Sequence, residues 1–370
     1  MVSDSINIPL HLYKIWVLFP FLETDDPNLK HYYDFSHSLK EYEKVFKELK
    51  ADWTWQPVTM IDYKTVIDSI PGKSGDKTPL IMNLCDGDEI NATPGVSVIH
   101  YLEEKNLIYT GANAYFYEVT TSKIPMKHAF DKAGVPNAAW KVIEGTNGTL
   151  NGTCNEIGTP ILLKPAISGG SMGVSVKNVV NNDEELKERV NELNNGYRGW
   201  QLTTGGLLAE QFITGPEFTS FIIGSYTHPD HCIVYEPVER IFHESLPAHE
   251  KFLSFDRLWE IYEDETPMPG NGNFYNYSAV DISLAESLKQ ISLDAYCAVG
   301  GTGYARIDIR MDATTGRLYL LEVNAQCGLS EDEDYTSIGA ILRFTGKTYT
   351  QLVTEVLQDA LTRRGISNKI

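Results

Sequence analysis

The feature that most constrains this fold is a pair of apolar segments that carry charged residues in their middle. They are Tyr304–Asp312 and Arg317–Asn324, and a short turn containing Gly316 separates them. Both segments have the composition of strands, so together they predict an antiparallel hairpin. A buried carboxylate without a partner is costly, so the acids inside these strands need a cation or hydrogen-bond donors beside them.

The polar residues of the hairpin have the spacing of a chemical site. Side chains alternate along a strand, which places Arg306 and Asp308 on one face, and likewise Glu322 and Asn324. Two carboxylates and an amide form an oxygen ligand set for Mg²⁺, which completes its shell with water and phosphate. Arg306 can stabilise a developing oxyanion. The alternative is a simple salt bridge between Arg306 and one of the acids.

The register of the hairpin tests the metal-site interpretation. A plain two- or four-residue turn would pair Asp308 with Leu321, and Glu322 would then point to the wrong face. An odd loop or a bulge, with Gly316 in the left-handed region, restores Asp308 opposite Glu322. We therefore predict a bulge in this hairpin.

A second pattern is a glycine-rich turn between two predicted strands, Pro160–Lys164 and Gly173–Val179. The turn contains Gly169, Gly170, Ser171 and Gly173. Glycines let backbone N–H groups approach phosphate oxygens closely, and Lys164 supplies positive charge. The turn is not a P-loop, because the GxxxxGK[ST] pattern is absent. The alternative is a flexible hairpin.

A third pattern is a pair of acids that flank the tight turn at residues 214–216. Glu210 and Glu217 lie at its two sides, on predicted strands Leu207–Ile213 and Glu217–Ile223. A purine nucleotide needs one acceptor for its exocyclic amine and another for its ribose hydroxyls, which two such acids can provide. The alternative is a solvated acidic hairpin.

The N-terminal segment alternates between predicted strands and helices. Strands at Lys14–Phe21 and Pro79–Leu84 are each followed by a predicted helix, at Ser38–Lys50 and Gly95–Lys105. This alternation indicates a parallel α/β unit.

The next predicted helix begins near Thr120, carries Lys123 and ends at Gly134, with Thr120 or Thr121 as its cap. Farther along, Pro237–Phe274 is long, charged and aromatic. Segments of that kind are usually lids, binding loops or disordered regions.

Composition excludes several classes of protein. The net charge of −19 argues against general binding to nucleic acid or to an anionic membrane. The five cysteines are odd in number and widely spaced, which is typical of reduced thiols. Neither a bilayer-spanning segment nor a signal peptide is visible, so we expect a cytoplasmic protein.

Taken in order, these segments resemble the ATP-grasp superfamily, and within it the D-alanine–D-alanine ligase-like branch. The resemblance is carried by Tyr109–Gly111, Lys123, Pro160–Ser175, Leu208–Phe218 and Tyr304–Leu329. It implies an α/β fold, α+β overall, with a three-domain ATP-grasp architecture. The implied domains are an N-terminal parallel α/β substrate domain at 1–119, a central ATP-grasp subdomain at 120–212 and a C-terminal catalytic subdomain at 213–370.

The resemblance also implies roles for individual residues. Lys123 and Lys164 would contact ATP, and Gly169–Gly173 would form a mobile loop over its phosphates. Glu210, with the backbone of Gln211, Phe212 and Ile213, would bind adenine, and Glu217 would bind ribose. Asp308, Glu322 and Asn324 would hold two Mg²⁺ ions, for which Mn²⁺ can substitute. Arg306, Ser171 and the Gly328 backbone would face the reacting centre.

In the implied reaction, ATP phosphorylates a carboxylate to an acyl phosphate, which an amine then attacks, releasing ADP and phosphate. We therefore predict an ATP-dependent carboxylate–amine ligase that acts on an amino acid or small carboxylic acid, with a homodimer implied by the family. The alternatives are a catalytically inactive ATP-binding regulator or scaffold, and an ATP-grasp kinase that phosphorylates a hydroxyl. Intact Arg306, Asp308 and Glu322 argue against the inactive protein.

The chain departs from the ligase pattern where the substrates would bind. Leu18–Glu23 lacks the glycine-rich segment with Ser and Glu, and Asn83–Gly87 replaces a His-Gly loop. Four acids at Glu331–Asp334 follow Ser330, and they would repel a carboxylate and favour a cation. The candidate substrate residues are Asp86, Ser330, Glu333 and Asp334. The alternative for the acidic run is a solvated loop that caps a helix.

Overall fold

The computed structural model describes residues 8–27, 30, 34–90, 93–144, 150–196, 198–200, 202–334 and 336–366. Its first sheet is parallel, with strand order β2-β1-β3-β4. The strands are β1 (Tyr13–Pro20), β2 (Asp52–Val58), β3 (Thr78–Asn83) and β4 (Ile108–Tyr109). The predicted parallel α/β unit is confirmed.

A second, antiparallel sheet has the order β5-β8-β6-β7. It consists of β5 (Trp140–Ile143), β6 (Ile161–Pro165), β7 (Val179–Val180) and β8 (Leu207–Gln211). The third sheet has the order β12-β11-β9-β13-β14, and β10 pairs with β9. Its strands are β9 (Glu217–Ser225), β10 (Ile233–Val234), β11 (Val238–Phe242), β12 (Tyr275–Ala279), β13 (Thr302–Met311) and β14 (Leu318–Ala325).

The helices cover the sheets and connect their strands. In the first half they are α1 (Ser36–Glu48), α2 (Tyr63–Lys73), α3 (Val96–Glu104), α4 (Ala114–Thr121), α5 (Lys123–Ala133) and α6 (Thr153–Ile157). The second half has α7 (Asp183–Asn194), α8 (Phe255–Trp259), α9 (Ile282–Ala298), α10 (Ser337–Thr345) and α11 (Tyr349–Arg363). Within the described residues, no helix is long and apolar enough to cross a membrane.

The first and third sheets share their hydrophobic cores, whereas the second sheet has a core of its own. One shared core joins Leu18 and Ile81 of the first sheet to Ile307 of the third. The core of the second sheet includes Ile161 and Leu207. The fold is therefore mixed α/β, as predicted, with the second sheet packed as a separate layer. The domain boundaries at 119/120 and 212/213 stay predictions.

The bulge in the β13–β14 hairpin is confirmed. Asp308 pairs with Glu322, but its neighbour Ile309 pairs with Leu320, so Leu321 is the extra residue. Gly316 in the connecting turn has a φ of 69°, in the left-handed region. The bulge lies inside the strand, and it brings both carboxylates to the same face.

Two local predictions are wrong. The strand predicted at Gly173–Val179 is a turn and a short 3₁₀ helix, Val176–Asn178, because Asn178 donates to the backbone carbonyls of Leu163 and Gly173 and holds the chain curled. The helix near Thr120 is two helices. The hydroxyls of Thr120 and Thr121 donate to carbonyls of α4, and α5 begins only at Lys123.

The acidic hairpin considered for Glu210 and Glu217 does not form. β8 pairs with β5 and β6, whereas β9 pairs with β11 and β13, so the two acids lie on different sheets. The turn between them is held by β13 instead, because the Met311 N–H donates to the Pro216 carbonyl with an N···O distance of 2.9 Å. The chain therefore crosses from one layer to the other at this turn.

Candidate active site

A cavity of about 720 Å³ opens where the three sheets meet. It is lined by β6 and β8 of the second sheet, by β13 and β14 of the third, and by the turn after β3 of the first. Every site residue predicted from the sequence lines this cavity except Gly173, Ser330 and Glu333. Residues that are far apart in the sequence are thus gathered around one space.

At the centre of the cavity, the polar residues of the β13–β14 hairpin surround Asp308. Arg306 donates to the Asp308 carboxylate through Nε at 3.1 Å and Nη2 at 2.8 Å, and Asn324 Nδ2 donates to it at 2.9 Å. Burial raises the pKa of Asp308, but the Arg306 and Arg240 guanidiniums outweigh burial and hold this pKa below its usual range. The salt bridge considered as an alternative is therefore present.

The donor set at this point fits a hydrated divalent cation. Among the described residues there is no cluster of three His, Cys, Asp or Glu side chains that could enclose a metal. Asp308, Glu322 and Asn324 instead offer two carboxylates and one amide on a surface that faces the cavity. Mg²⁺ takes few protein ligands and keeps water or phosphate in its shell, so this open set suits it.

A second group of charges lies on the other wall of the cavity, around Glu210. Lys164 Nζ lies 2.9 Å from one carboxylate oxygen of Glu210, and Lys127 Nζ lies 2.5 Å from the other. Burial raises the pKa of Glu210, but the two lysines outweigh it and lower this pKa to about 2. The same carboxylate and Glu322 overcome burial at Lys164 and keep the pKa of Lys164 above its ordinary value.

Lys127 was not predicted from the sequence. It is only 1% exposed, and burial lowers its pKa. Its position on α5 holds the signal that sequence reasoning could have used: it follows Lys123 by four residues and adjoins buried Met126, on the apolar face of the helix. Lys123 itself lines the cavity, and its Nζ donates to the Ser168 carbonyl at 3.1 Å.

The third charged group surrounds Glu217. Its two carboxylate oxygens accept hydrogen bonds from Arg240 and Arg310, and all three side chains are buried. Arg310 also donates to the backbone carbonyls of Ile213 and Lys251, at 3.2 and 2.7 Å. Neither arginine was predicted, although Arg310 lies two residues beyond Asp308 and hence on the same strand face.

The glycine-rich loop closes one side of the cavity. Gly170 and Ser171 both have positive φ angles, of 54° and 62°, and the serine thus holds a conformation that favours glycine. Trp259 Nε1 donates to the Gly170 carbonyl at 2.8 Å, and the Phe255 N–H donates to the Val174 carbonyl at 2.8 Å. Part of the 237–274 segment therefore packs on the glycine-rich loop, and its role as a lid or a binding loop stays a prediction.

Four aspartates also line the cavity, namely Asp34, Asp86, Asp88 and Asp334, and we call the part that they line the substrate end because the sequence predicted substrate residues there. Three segments meet there: the start of α1, the turn after β3 and the segment after β14. Gln326 Nε2 donates to the Cys85 carbonyl at 2.7 Å, and Ser330 Oγ donates to Glu41 of α1 at 2.7 Å. These bonds hold the three segments together.

Two of the predicted substrate residues do not reach the cavity. Ser330 is fully buried because its hydroxyl is turned towards Glu41. Glu333 pairs on the surface with Arg343 at 2.8 Å, and Glu331 pairs with Lys44 at 2.7 Å. Of the acidic run, only Asp334 lines the cavity. The run is therefore mostly the solvated loop considered as its alternative.

Comparisons with known proteins agree with this geometry. Residues 129–358 match the family model described as D-ala D-ala ligase C-terminus. A D-alanine–D-alanine ligase of Pseudoalteromonas translucida is 27% identical over 274 residues, which cover 70% of this chain and 74% of the relative. A D-alanine–D-alanine ligase B of Xanthomonas campestris is 26% identical, and the match covers 80% of this chain and 83% of the relative.

Solved structures share the whole fold. The D-alanine–D-alanine ligase of Bacillus anthracis in complex with ATP superposes with a TM-score of 0.65 at 16% identity, and the match covers 95% of this chain and 98% of the other. The corresponding enzyme of Coxiella burnetii gives a TM-score of 0.63 at 16% identity, with 95% of this chain and 96% of the other covered. At such identities, the likeness concerns the fold.

Proposed function

The chain belongs to the D-ala D-ala ligase C-terminus family and is an ATP-dependent carboxylate–amine ligase of the ATP-grasp type, and we propose that its cavity joins two small substrates through an acyl phosphate. One observation carries this proposal. The bulge at Leu321 sets Asp308 opposite Glu322, inside a cavity that also holds Arg306 and Lys164. Phosphoryl transfer requires such a combination of oxygen ligands and fixed positive charge.

We assign the metal site to Asp308, Glu322 and Asn324. These residues would hold two Mg²⁺ ions, or Mn²⁺ in their place, together with phosphate oxygens and water. When bound, the metal neutralises charge on the transferred phosphoryl group. The two carboxylates come from neighbouring strands, so the hairpin fixes their separation before any ligand binds.

We assign the nucleotide to the wall formed by β6, β8 and the glycine-rich loop. Lys123, Lys164 and the loop at Gly169–Gly173 bind the phosphates, and the backbone of residues 211–213 binds adenine. The Glu210 carboxylate is already held by two lysines, so it acts mainly by fixing Lys164 in place. Glu217 reaches ribose only by sharing its oxygens with Arg240 and Arg310.

The proposed reaction has two steps. A carboxylate oxygen of the first substrate attacks the γ-phosphorus of ATP, the bond to the β-phosphate oxygen breaks, and ADP leaves. The amine of the second substrate then attacks the acyl carbon, and phosphate leaves with the electron pair of the broken C–O bond. Arg306 and the Gly328 backbone line the cavity where the oxyanion of this second step develops, and Ser171 faces the transferred group.

We propose an amino acid or a small carboxylic acid as the first substrate. The relatives from Pseudoalteromonas translucida and Xanthomonas campestris are named for D-alanine, so D-alanine is the first compound to test on both sides. The substrate end of this chain carries Asp34, Asp86, Asp88 and Asp334, which favours a substrate with a positive group. A homodimer is proposed from the family resemblance alone. A reducing, cytoplasmic location is proposed because all five cysteines are free.

The test is Mg²⁺-dependent phosphate release from ATP, measured across a matrix of D- and L-amino acids, other carboxylic acids and amines. Mass spectrometry of each active mixture follows. We expect free phosphate and a product whose mass is the sum of the two substrates minus water. A phosphorylated product without free phosphate would instead identify a kinase. ATP binding without turnover across the whole matrix would favour a regulatory protein.

A further inference from the structure

The two ends of the cavity differ in the charged side chains that line them. At the nucleotide end, each buried carboxylate faces basic side chains: Glu210 faces Lys127 and Lys164, and Glu217 faces Arg240 and Arg310. The substrate end is lined by four aspartates, whereas Lys164, Arg240, Arg306 and Arg310, which also line the cavity, pair with Glu210, Glu217 and Asp308. A group entering the substrate end therefore meets several carboxyl groups.

Asp86 is the most informative of these aspartates. Its Oδ1 is buried and, within the part of the chain that the structure describes, has no hydrogen-bond partner. Such an oxygen is costly to keep in a folded protein unless a ligand satisfies it. Asp86 follows β3 directly, at the carboxyl edge of the parallel sheet, where ligands commonly bind in α/β folds. The residue lines the cavity together with Arg306 and Gly328.

The surroundings of Asp86 keep its proton affinity high. Burial is the main cause that raises the pKa of the carboxyl to about 7; a hydrogen bond from the residue's own backbone N–H opposes it, and the nearby charge of Asp88 adds to it. The other titratable groups that feel Asp86 are Cys85 on its own turn, Tyr304 on β13 and Cys327 after β14. At neutral pH none of these three neighbours supplies a positive charge.

We propose that Asp86 binds the ammonium group of the amine substrate and accepts its proton before the amine attacks the acyl phosphate. This inference rests on the proposed ligase function. An ammonium group supplies both the hydrogen bond and the positive charge that Asp86 lacks. A general base whose proton affinity is matched to neutral pH is the most effective, and burial tunes Asp86 to that range.

The protons and bonds of this step balance. One N–H bond of the ammonium breaks and its proton goes to Asp86, which leaves a lone pair on nitrogen. That lone pair forms the N–C bond, the acyl C–O bond breaks, and phosphate leaves with the electron pair. A second amine proton departs with the phosphate as the amide forms. Asp86 then returns its proton to solvent.

Hydroxylamine separates this role from the first chemical step. It is mostly unprotonated at neutral pH, so it attacks an acyl phosphate without needing an ammonium site or a base. The experiment measures hydroxamate formation and amide formation by purified wild-type protein and by Asp86→Asn, with the acids and amines that are active in the matrix above. Asp76→Asn is the matched control, because Asp76 is exposed and is not part of the cavity lining.

For Asp86→Asn we expect amide formation to fall about 100-fold or more, while hydroxamate formation stays within about threefold of wild type. Asp76→Asn changes neither. Amide formation within threefold of wild type, or an equal loss of both products, overturns the inference. Wild-type protein that forms no hydroxamate with any acid overturns the proposed function itself.

The pH dependence of the two products provides a second test. In the wild-type protein the ratio of amide to hydroxamate should show an additional fall as the pH drops through about 7, where the Asp86 carboxylate of the free enzyme takes up a proton. In Asp86→Asn this additional fall should be absent, and the ratio should follow only the fraction of amine that is unprotonated in solution. Identical pH profiles of the ratio in the wild-type protein and in Asp86→Asn contradict the assignment of Asp86 as the base.

Discussion

The nucleotide end and the substrate end of the cavity differ in whether their buried carboxylates are paired within the protein. Around Glu210, buried positive and negative groups are paired within the protein, at 2.5 and 2.9 Å. At the substrate end, Asp86 keeps a buried oxygen that has no hydrogen-bond partner among the residues that the structure describes. Paired groups are organised before a ligand arrives, whereas this oxygen gains a favourable contact only when a ligand binds.

The two ends also differ in how far the family likeness reaches. The match at residues 129–358 covers Glu210, Glu217 and the β13–β14 hairpin. The start of α1 and the turn after β3, which provide Asp34, Asp86 and Asp88, lie outside that match. In our proposal the ATP chemistry therefore belongs to the part of the chain that matches the family model, whereas the choice of substrate is assigned largely to residues outside that match.

The largest effect is expected from a substitution that removes a ligand of the proposed metal site at the centre of the cavity. Glu322→Gln removes one carboxylate ligand and should lower turnover by about a thousandfold, because several kcal/mol of charge stabilisation are lost. Phosphate release measures the effect, and thermal unfolding confirms that the fold is intact. The control is Glu333→Gln, on the surface, with unchanged turnover. Turnover of Glu322→Gln within about threefold of wild type would show that the metal assignment is wrong.

Substitution of the two lysines that bind the Glu210 carboxylate should affect different properties of the protein, namely its stability and its affinity for ATP. Lys127→Met removes a buried partner of Glu210 outside the cavity lining and should cost about 3 kcal/mol of unfolding free energy. Lys164→Met removes a partner that also faces the nucleotide, and should raise the KM for ATP about tenfold or more. Urea unfolding and ATP titration separate the two. Equal effects of both variants on the KM would contradict the division of roles.

A smaller effect is expected from the acidic run. Asp334→Ser should change the preference among amine substrates about fivefold, because Asp334 lines the cavity. Glu333→Ser is the matched variant, and it should leave the preference unchanged because its carboxylate pairs with Arg343 on the surface. Competition between a neutral-chain and a cationic amine measures the preference. A shift with Glu333→Ser alone would reverse the assignment.

The smallest effect concerns stability at the substrate end. The pKa of Asp86 is raised to about 7 in the folded protein. The protonated carboxyl therefore adds to the free energy of unfolding in full below the pKa of the unfolded chain, and this stabilisation is lost as the pH rises through about 7. Asn cannot ionise, so Asp86→Asn does not lose stability in this way. The melting temperature of Asp86→Asn should therefore exceed that of wild type by about 2 °C at high pH, with a smaller difference in acid. The opposite sign would mean that Asp86 is stabilised as a carboxylate.

Sequence patterns predicted the parts of the site that depend on neighbouring residues. Alternation along β13 and β14 placed Arg306, Asp308 and Glu322 on shared faces, and the register argument predicted the bulge that the hairpin contains. Both follow from strand geometry and turn length, which are local properties.

The parts that were not predicted depend on contacts between distant segments. A lysine on a helix is usually solvated, and the spacing of Lys127 on the apolar face of α5 could indicate its burial but not its partner, Glu210, on another element. The same reason explains Ser330, whose hydroxyl donates to Glu41 of α1, 289 residues earlier in the sequence. The turn between β8 and β9 looked like a hairpin because the crossing between sheets leaves no local signal.

The central claim, an acyl phosphate formed from ATP in this cavity, is tested most directly with a carboxylic acid substrate labelled with ¹⁸O in its carboxylate. The acid is one that supports phosphate release in the matrix. If the carboxylate oxygen attacks the γ-phosphorus, one labelled oxygen stays with the phosphate when the amine displaces it. We predict singly labelled phosphate and an amide of matching yield. Unlabelled phosphate in the presence of amide product would contradict the account.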